Sequence, residues 1–263
     1  MDEIKRIHDI EFEDIAIRTK FNREKLTKDY FLTLILYLIK DVDGVYFKGG
    51  TAINKILLNH ARLSEDIDFT LTRDISEVKK EIEEIVEKSG LFEEITQDKN
   101  VEGFLRIVVH YKGFANEKDK IFIDLNKKGN LMLPPEVHKL NHFYSPFIPE
   151  FSVKTLAKEE MIAEKLAASI GRNKPRDHFD VYKIVKAGIP INLELVKKKC
   201  ESSEHEFSII KMFNKAKMLK NRWDKDMASL ISEEITFQEI IKFLSKHFKL
   251  KEEKEKKKDK QKD

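Results

Sequence analysis

Phe47-Lys48-Gly49-Gly50-Thr51 and Ser64-Glu65-Asp66-Ile67-Asp68-Phe69 are the two most informative stretches of this sequence. Residues 45–47 are apolar and predict a short strand, the glycine pair predicts a turn, and residues 51–58 carry apolar side chains at helical spacing. Residues 66–71 alternate between polar and apolar types, which is typical of a strand. Because successive strand side chains point to opposite faces, the two aspartates should project from the same face.

These two aspartates, Asp66 and Asp68, form a candidate metal site. On one strand face their backbones lie about 7 Å apart, and their side chains can converge on divalent ions spaced roughly 3.5–4 Å. A site made only of oxygen ligands favours Mg²⁺ or Mn²⁺. An isolated Asp-x-Asp pair is more often two ordinary acids on a solvent-facing edge strand than a metal site. The glycine turn upstream is the feature that favours the metal site.

Gly49, Gly50, Thr51 and Ser64 form a candidate phosphate site. A helix that opens on two glycines presents backbone N–H groups and the positive end of its dipole to phosphate oxygens, and the missing side chains allow close approach. The hydroxyls of Thr51 and Ser64 would add contacts. Gly-Gly-Thr by itself is also typical of a turn with an N-capping threonine. Followed by an Asp-x-Asp strand, it favours a site for a triphosphate and its metal.

The length and composition predict a globular protein of two domains. The chain has 263 residues, of which 41% are apolar and 37% charged, enough for a packed core under a heavily solvated surface. Four of the six prolines lie between residues 134 and 149 and mark a connector. Beyond it the pattern is almost wholly helical. We expect one domain over residues 1–150, a helical domain over 151–250 that closes the active-site cleft, and a charged tail over 251–263 that is disordered or a fraying helix.

Charge is distributed unevenly along the chain. Residues 1–150 carry 23 basic and 28 acidic side chains, a balance of −5, whereas residues 151–263 carry 27 and 19, a balance of +8. An acidic, metal-binding half joined to a basic half suits an enzyme with a polyanionic partner, although such asymmetry also serves solubility alone.

Several other classes of protein are disfavoured. No run approaches the roughly 20 apolar residues of a membrane span, and the first residues lack the pattern of a signal peptide, so we expect a cytoplasmic protein without membrane contact. Cys200 is the single cysteine, which excludes an intrachain disulfide and argues against cysteine-ligated zinc. The sequence contains neither a Walker loop nor a Gly-x-Ser-x-Gly elbow, which disfavours an ATPase or an acyl hydrolase.

The stretch from Phe47 to Phe69 closely resembles the first motif of the AbiEii family of nucleotidyltransferase toxins, members of the DNA polymerase β-like superfamily. The resemblance implies an α+β fold, a mixed sheet flanked by helices with a C-terminal helical domain. It also implies a toxin of a toxin–antitoxin or abortive-infection phage-defence system, which transfers a nucleotide from an NTP with Mg²⁺ or Mn²⁺. Some relatives add nucleotides to the 3′ end of tRNA, so the implied partners are an NTP, an RNA acceptor and a cognate antitoxin.

Two later stretches match the family pattern at single residues. Asp124 ends the apolar run Ile121-Phe122-Ile123, where the family has a third acid that completes the metal site with Asp66 and Asp68 and helps to deprotonate the acceptor hydroxyl. An aspartate that caps a turn is the alternative. The family's helical lysine corresponds to Lys165, whose ammonium would stabilise the triphosphate. A lysine that reaches solvent is the alternative there.

The segment from Gly171 to Asp180 resembles the family's Arg-x-x-x-Arg-Asp-x-x-Asp pattern. Asp177 and Asp180 would share one helix face, and a structural role in orienting Lys165 or an arginine is as plausible for them as catalysis. Arg172 and Arg176 are basic enough to hold phosphate groups of the nucleotide or of the RNA.

Two alternatives to RNA modification remain open at this stage. One is an enzyme that transfers the nucleotide to a small molecule such as an antibiotic, which predicts a small acidic acceptor pocket. The other is a catalytically inert module that binds a nucleotide or an antitoxin.

Overall fold

The computed structural model describes residues 4–127, 129, 131–172 and 174–259, without the side chains of residues 256–259. The chain divides into two compact units, Met1–Lys158 and Glu159–Asp263. The boundary expected after residue 150 precedes a strand, Ser152–Thr155, that pairs with the sheet of the first unit.

Unit 1 is built on a seven-stranded mixed sheet in the order β3-β4-β5-β2-β1-β7-β6. Two neighbouring pairs, β2 with β5 and β1 with β7, are parallel, and the other four are antiparallel. This sheet with its flanking helices confirms the predicted α+β class. The strands are β1 (Val45–Lys48), β2 (Asp66–Leu71), β3 (Glu94–Val101), β4 (Phe104–Lys112), β5 (Lys118–Asn126), β6 (Glu136–Lys139) and β7 (Ser152–Thr155).

The described helices fall into two groups along the chain. Those of unit 1 are α1 (Asp9–Thr19), α2 (Arg23–Leu38), α3 (Gly49–Ile56) and α4 (Ile75–Ser89). The later ones are α5 (Lys158–Gly171), α6 (Pro175–Lys186), α7 (Leu193–Ser202), α8 (Ile209–Phe213), α9 (Ala216–Met227), α10 (Phe237–His247) and α11 (Leu250–Asp259).

The period-2 pattern of the strands separates an apolar face of the sheet from a polar one. In β5, Ile121, Ile123 and Leu125 are fully buried, whereas the side chains between them are partly exposed. Helices α2 and α4 pack against the apolar face, where Phe31 stacks on Tyr111 with ring centroids 4.2 Å apart. Burial of this face contributes to the hydrophobic stabilisation of unit 1.

A fully buried ion pair joins α3 to α2 beneath the glycine turn. Nζ of Lys55 lies 2.7 Å from Oδ1 of Asp29, and both side chains are only 2% exposed. Lys55 also donates to Oγ1 of Thr33 at 3.1 Å, and the hydroxyl of Tyr144 donates to Oδ2 of Asp29 at 3.1 Å. Burial lowers the pKa of Lys55, and the contact with Asp29 opposes that shift. Both buried charges thus have hydrogen-bonding partners.

The apolar spacing within residues 11–40 predicts a single helix, and the structure corrects this prediction. Two helices, α1 and α2, cover this region, because Lys20 adopts a left-handed conformation with φ of 59° and ends α1. The side chain of Asn22 then caps α2 by accepting a hydrogen bond from the N–H group of Lys25 at 3.1 Å.

Three strands, β3, β6 and β7, lie where the sequence pattern does not predict a strand. Strand β3 is almost entirely polar and exposed, and it is held as an edge by its pairing with β4. Strands β6 and β7 lie within and just after the proline cluster, for which the sequence pattern predicts only a connector. The charged tail lies in helix α11, where Glu252 pairs with Lys249, the residue just before the helix, and residues 260–263 of the expected tail lie outside the described residues.

No helix of the described part of the chain is both long and apolar enough to cross a membrane.

Candidate active site

The polar face of the sheet carries a row of four charged residues, in which two neighbouring acids are flanked by two bases. Lys48 on β1 pairs in register with Asp68 on β2, Asp68 with Asp124 on β5, and Asp124 with Arg106 on β4. Residues paired in this way project from the same side of a sheet. Asp66, two residues before Asp68, shares that face and pairs with Phe122. Strand pairing therefore brings the three predicted acids onto neighbouring positions of one surface.

The glycine turn lies directly against this row. Gly49 begins α3 with φ of +79°, a backbone conformation that side chains other than glycine rarely adopt. A Cβ atom at this position would lie 2.2 Å from Oδ2 of Asp68, closer than any real contact. The N-terminus of α3 and the Asp68 carboxylate consequently lie side by side. A metal-bound triphosphate needs this combination, because the helix N-terminus can bind its phosphates and the carboxylate can bind its metal.

We expect Gly49→Ala to abolish activity while Gly90→Ala leaves it near the wild-type level. Both glycines have positive φ, so each alanine should cost about 1–2 kcal/mol of stability. Only at position 49 does the added methyl group displace a candidate metal ligand, since the space around Gly90 is open. Urea unfolding and a nucleotide-transfer assay on both variants provide the test. Equal activity of the two would show that the contact with Asp68 has no catalytic importance.

The hydroxyls of Thr51 and Ser64 already have partners within the protein. Thr51 is buried and donates to the carbonyl oxygen of Asp66, which fastens α3 to the start of β2. Ser64 is also buried, and its Oγ accepts a hydrogen bond from the Arg62 guanidinium at 2.9 Å. Their predicted phosphate contacts stay predictions, and the backbone of Gly49 and Gly50 is the part of the cradle that the geometry favours.

Asp124 is held by Arg106. The guanidinium donates from Nε to Oδ1 at 2.7 Å and from Nη2 to Oδ2 at 2.8 Å, a bidentate pair that raises the pKa of Arg106. Both oxygens of Asp124 are thus engaged. Across the residues that the structure describes, no group of three or more His, Cys, Asp or Glu side chains is arranged to hold a metal ion.

Two of the three predicted metal ligands are placed where they could bind a divalent cation together. Asp66 and Asp68 offer hard oxygen ligands on one strand face, beside the start of a helix. Asp124 accepts one hydrogen bond from Arg106 at each oxygen and keeps further lone pairs on both, so its predicted role as a third ligand stays a prediction. Sequence reasoning missed Arg106 and Lys48 as members of this surface. The position of Lys48 could have been predicted, because it is the last residue of β1 and strand alternation turns it away from the buried Phe47. The pairing of Arg106 with Asp124 has no such local signal in the sequence.

Lys165, Asp177 and Asp180 form a buried cluster within the second unit. Nζ of Lys165 lies 3.0 Å from Oδ1 of Asp177 and 3.0 Å from Oδ2 of Asp180, and neither carboxylate is exposed. Arg172 donates to Asp177 through Nε at 2.7 Å and Nη2 at 3.0 Å. Burial would raise the pKa of Asp177, but Lys165 and Arg172 outweigh it and hold the pKa below its ordinary value.

This cluster gives Lys165 a partner other than a triphosphate, because its ammonium is already flanked by two carboxylates. Its predicted role in charge stabilisation stays a prediction, as does catalysis by Asp177. Two arginines lie close to these residues in the sequence. Arg172, which pairs with Asp177, is half exposed, and Arg176, in the first turn of α6, is half buried. Arg172 is engaged by Asp177 through two hydrogen bonds, and the predicted phosphate contacts of both arginines stay predictions.

Two solved structures resemble this fold over most of its length. The nucleotidyltransferase toxin MenT4 from Mycobacterium tuberculosis H37Rv has a TM-score of 0.70 and 18% identity, over 92% of this chain and 89% of that one. JHP933 from Helicobacter pylori has a TM-score of 0.62 and 18% identity, over 92% of this chain and 99% of that one. At such identities the likeness establishes the fold alone. None of the curated proteins matches the chain significantly.

The family assignment rests on the sequence match. The model of the family described as "Nucleotidyl transferase AbiEii toxin, Type IV TA system" matches residues 34–243, which include the glycine turn, all three acids of the polar face and the Lys165 cluster. This match covers well over half of the chain and agrees with the resemblance seen in the first motif. The chain therefore belongs to the AbiEii family of nucleotidyltransferase toxins of type IV toxin–antitoxin systems.

Proposed function

We propose that this toxin transfers a nucleoside monophosphate from an NTP to a hydroxyl group of an RNA, specifically the 3′ end of a tRNA, and releases pyrophosphate. The observation that carries the proposal is the contact between the start of α3 at Gly49 and the carboxylate of Asp68. It combines a backbone anion site with a metal-binding acid at one point of the molecule. Family membership supports the same chemistry.

Each part of the site has a distinct role in this proposal. The backbone N–H groups of Gly49 and Gly50 hold the triphosphate. Asp66 and Asp68 hold Mg²⁺ or Mn²⁺, which when bound polarises the phosphoryl oxygens and neutralises charge that develops on them. Asp124 accepts the proton of the acceptor hydroxyl once Arg106 has moved from its carboxylate to a phosphate group.

The nature of the acceptor is supported by the distribution of charge. Residues 151–263 carry a balance of +8, and they include Arg172 and Arg176, whose guanidinium groups suit phosphate oxygens. A polyanionic acceptor fits this half better than a small cationic antibiotic does. We further propose a cytoplasmic toxin that is neutralised by a cognate antitoxin protein and serves in phage defence.

The decisive experiment is transfer of label from each of the four α-³²P NTPs to total cellular RNA in the presence of Mg²⁺. We expect one NTP to label RNA of tRNA size, and EDTA to prevent the labelling because Asp66 and Asp68 need a cation to act. Label found only in a small-molecule fraction would favour the antibiotic-type alternative. No transfer from any NTP, under conditions where the protein inhibits growth, would contradict the proposal and favour an inert binding module.

A further inference from the structure

Phe122 is an aromatic residue on the polar face of β5, next to the proposed metal site. It pairs in register with Asp66, so its ring projects from the same side of the sheet as the Asp66 carboxylate. The other residues of β5 on that side are polar: Lys118, Lys120, Asp124 and Asn126. The ring is only partly buried, whereas the apolar residues of the opposite face are fully buried.

Two cations flank this ring. Cζ of Arg106 lies 4.8 Å from the ring centroid, and Nζ of Lys120 lies 5.3 Å from it. Both distances are within the range of cation–π attraction. Three strands therefore contribute to this arrangement. Strand β5 provides the ring of Phe122 and Lys120, β4 provides Arg106, and β2 provides the neighbouring carboxylate of Asp66.

A purely structural role for Phe122 would be to cover its other neighbour, Val108 on β4, which is 4% exposed. A leucine would cover Val108 equally well, because hydrophobic burial depends on apolar area rather than on aromatic character. The two flanking cations favour a role that uses the aromatic plane and attracts phosphate. Aromatic rings beside basic groups are how proteins bind single-stranded nucleotides irrespective of sequence.

We propose that Phe122 is a stacking platform for a nucleobase, with Arg106 and Lys120 holding the phosphate attached to that nucleoside. This inference rests on the proposed nucleotide transfer and adds the subsite where a base lies. Its ligand is a nucleotide beside the metal site, supplied either by the incoming NTP or by the terminal unpaired nucleotide of the RNA acceptor. The position next to Asp66 suits both sources, and a binding experiment distinguishes them.

The experiment compares Phe122→Leu and Phe122→Trp with a matched control, Phe104→Leu. Phe104 lies on β4, on the same face of the sheet as Phe122, and is also partly buried. Nζ of Lys99 lies 5.7 Å from its ring centroid, but Phe104 pairs in register with Asn126 rather than with an acid. Binding is measured without any transfer step, by anisotropy of a labelled single-stranded RNA ending in CCA and by titration of a non-hydrolysable NTP with Mg²⁺.

We expect Phe122→Leu to weaken binding of one ligand by about 5- to 150-fold, which corresponds to the roughly 1–3 kcal/mol of a base–aromatic stack. Phe122→Trp should bind as well as wild type or better, and ligand should quench its new fluorescence. The single native tryptophan, Trp223, is buried and provides a background that the parent protein measures. Phe104→Leu should bind as wild type does.

Each outcome decides the proposal. Loss of NTP affinity alone assigns the platform to the incoming nucleotide, and loss of RNA affinity alone assigns it to the acceptor. Wild-type affinity of Phe122→Leu for both ligands overturns the platform, as does equal loss in Phe104→Leu. If the leucine variant unfolds, the exposed Lys120→Gln decides instead, with weaker binding expected. Because these assays contain no chemistry, they can fail while labelling of RNA succeeds, so the two proposals are tested separately.

Discussion

Asp68→Asn should lower the rate of nucleotide transfer on the order of 10³-fold, equivalent to roughly 4 kcal/mol of transition-state stabilisation. The amide keeps the size of the carboxylate but removes the negative charge that a divalent cation needs. Because Asp68 also lies against Gly49, the loss affects the metal and the triphosphate end of the site together. Single-turnover transfer of label to RNA measures the effect, and growth inhibition in cells should disappear in parallel.

The matched control for this variant is Asp98→Asn. Asp98 lies in the same unit, its side chain is 54% exposed, and its carboxylate lies 3.9 Å from the Arg106 guanidinium. Its replacement should leave transfer within about 2-fold of wild type, since exposed pairs of this kind contribute little. Growth inhibition that survives Asp68→Asn unchanged would mean that toxicity comes from binding rather than from catalysis.

Lys55→Ala should destabilise unit 1 by about 3–5 kcal/mol, the usual consequence of leaving one partner of a buried ion pair without its counter-charge. Asp29 would keep the hydrogen bond from Tyr144 but lose the ammonium 2.7 Å away in an environment that excludes water. Since α3 carries both Lys55 and the glycine turn, the active site should loosen as well. Urea denaturation followed by far-UV circular dichroism measures the change.

Lys139→Ala provides the comparison for this stability effect. The Lys139–Glu150 pair has the same 2.7 Å separation, but its side chains are 58% and 66% exposed. Its loss should cost less than about 1 kcal/mol, because solvent and salt screen exposed pairs. A similar loss of stability in the two variants would show that burial of the Lys55–Asp29 pair has no energetic importance.

Features with a local period could be predicted from the sequence. The alternation of residues 66–71 predicts that Asp66 and Asp68 share one face, and a glycine such as Gly90, which follows α4 with φ of 65°, is typical of a helix end. Family resemblance supplied the α+β class that the sheet confirms. These successes share a cause, since strand alternation and left-handed helix ends depend only on neighbouring residues.

Features set by pairing between distant segments could not be predicted in this way. Edge strand β3 has no apolar alternation and exists because β4 offers hydrogen-bonding groups beside it. The bidentate hold of Arg106 on Asp124 depends on the register of β4 against β5, across 18 positions of sequence. The engagement of Lys165 by Asp177 and Asp180 likewise follows from the packing of α5 beside α6 within the second unit.

The strand order also constrains when the toxin can become active during its synthesis. Strands β1 and β2 lie at the centre of the sheet, and each is completed by a partner made much later, β5 ending at Asn126 and β7 at Thr155. Such non-local pairings fold slowly, because long loops must close before their contacts form. A nascent chain on the ribosome therefore carries its glycine turn and its first two aspartates without a finished catalytic surface until synthesis has passed Thr155.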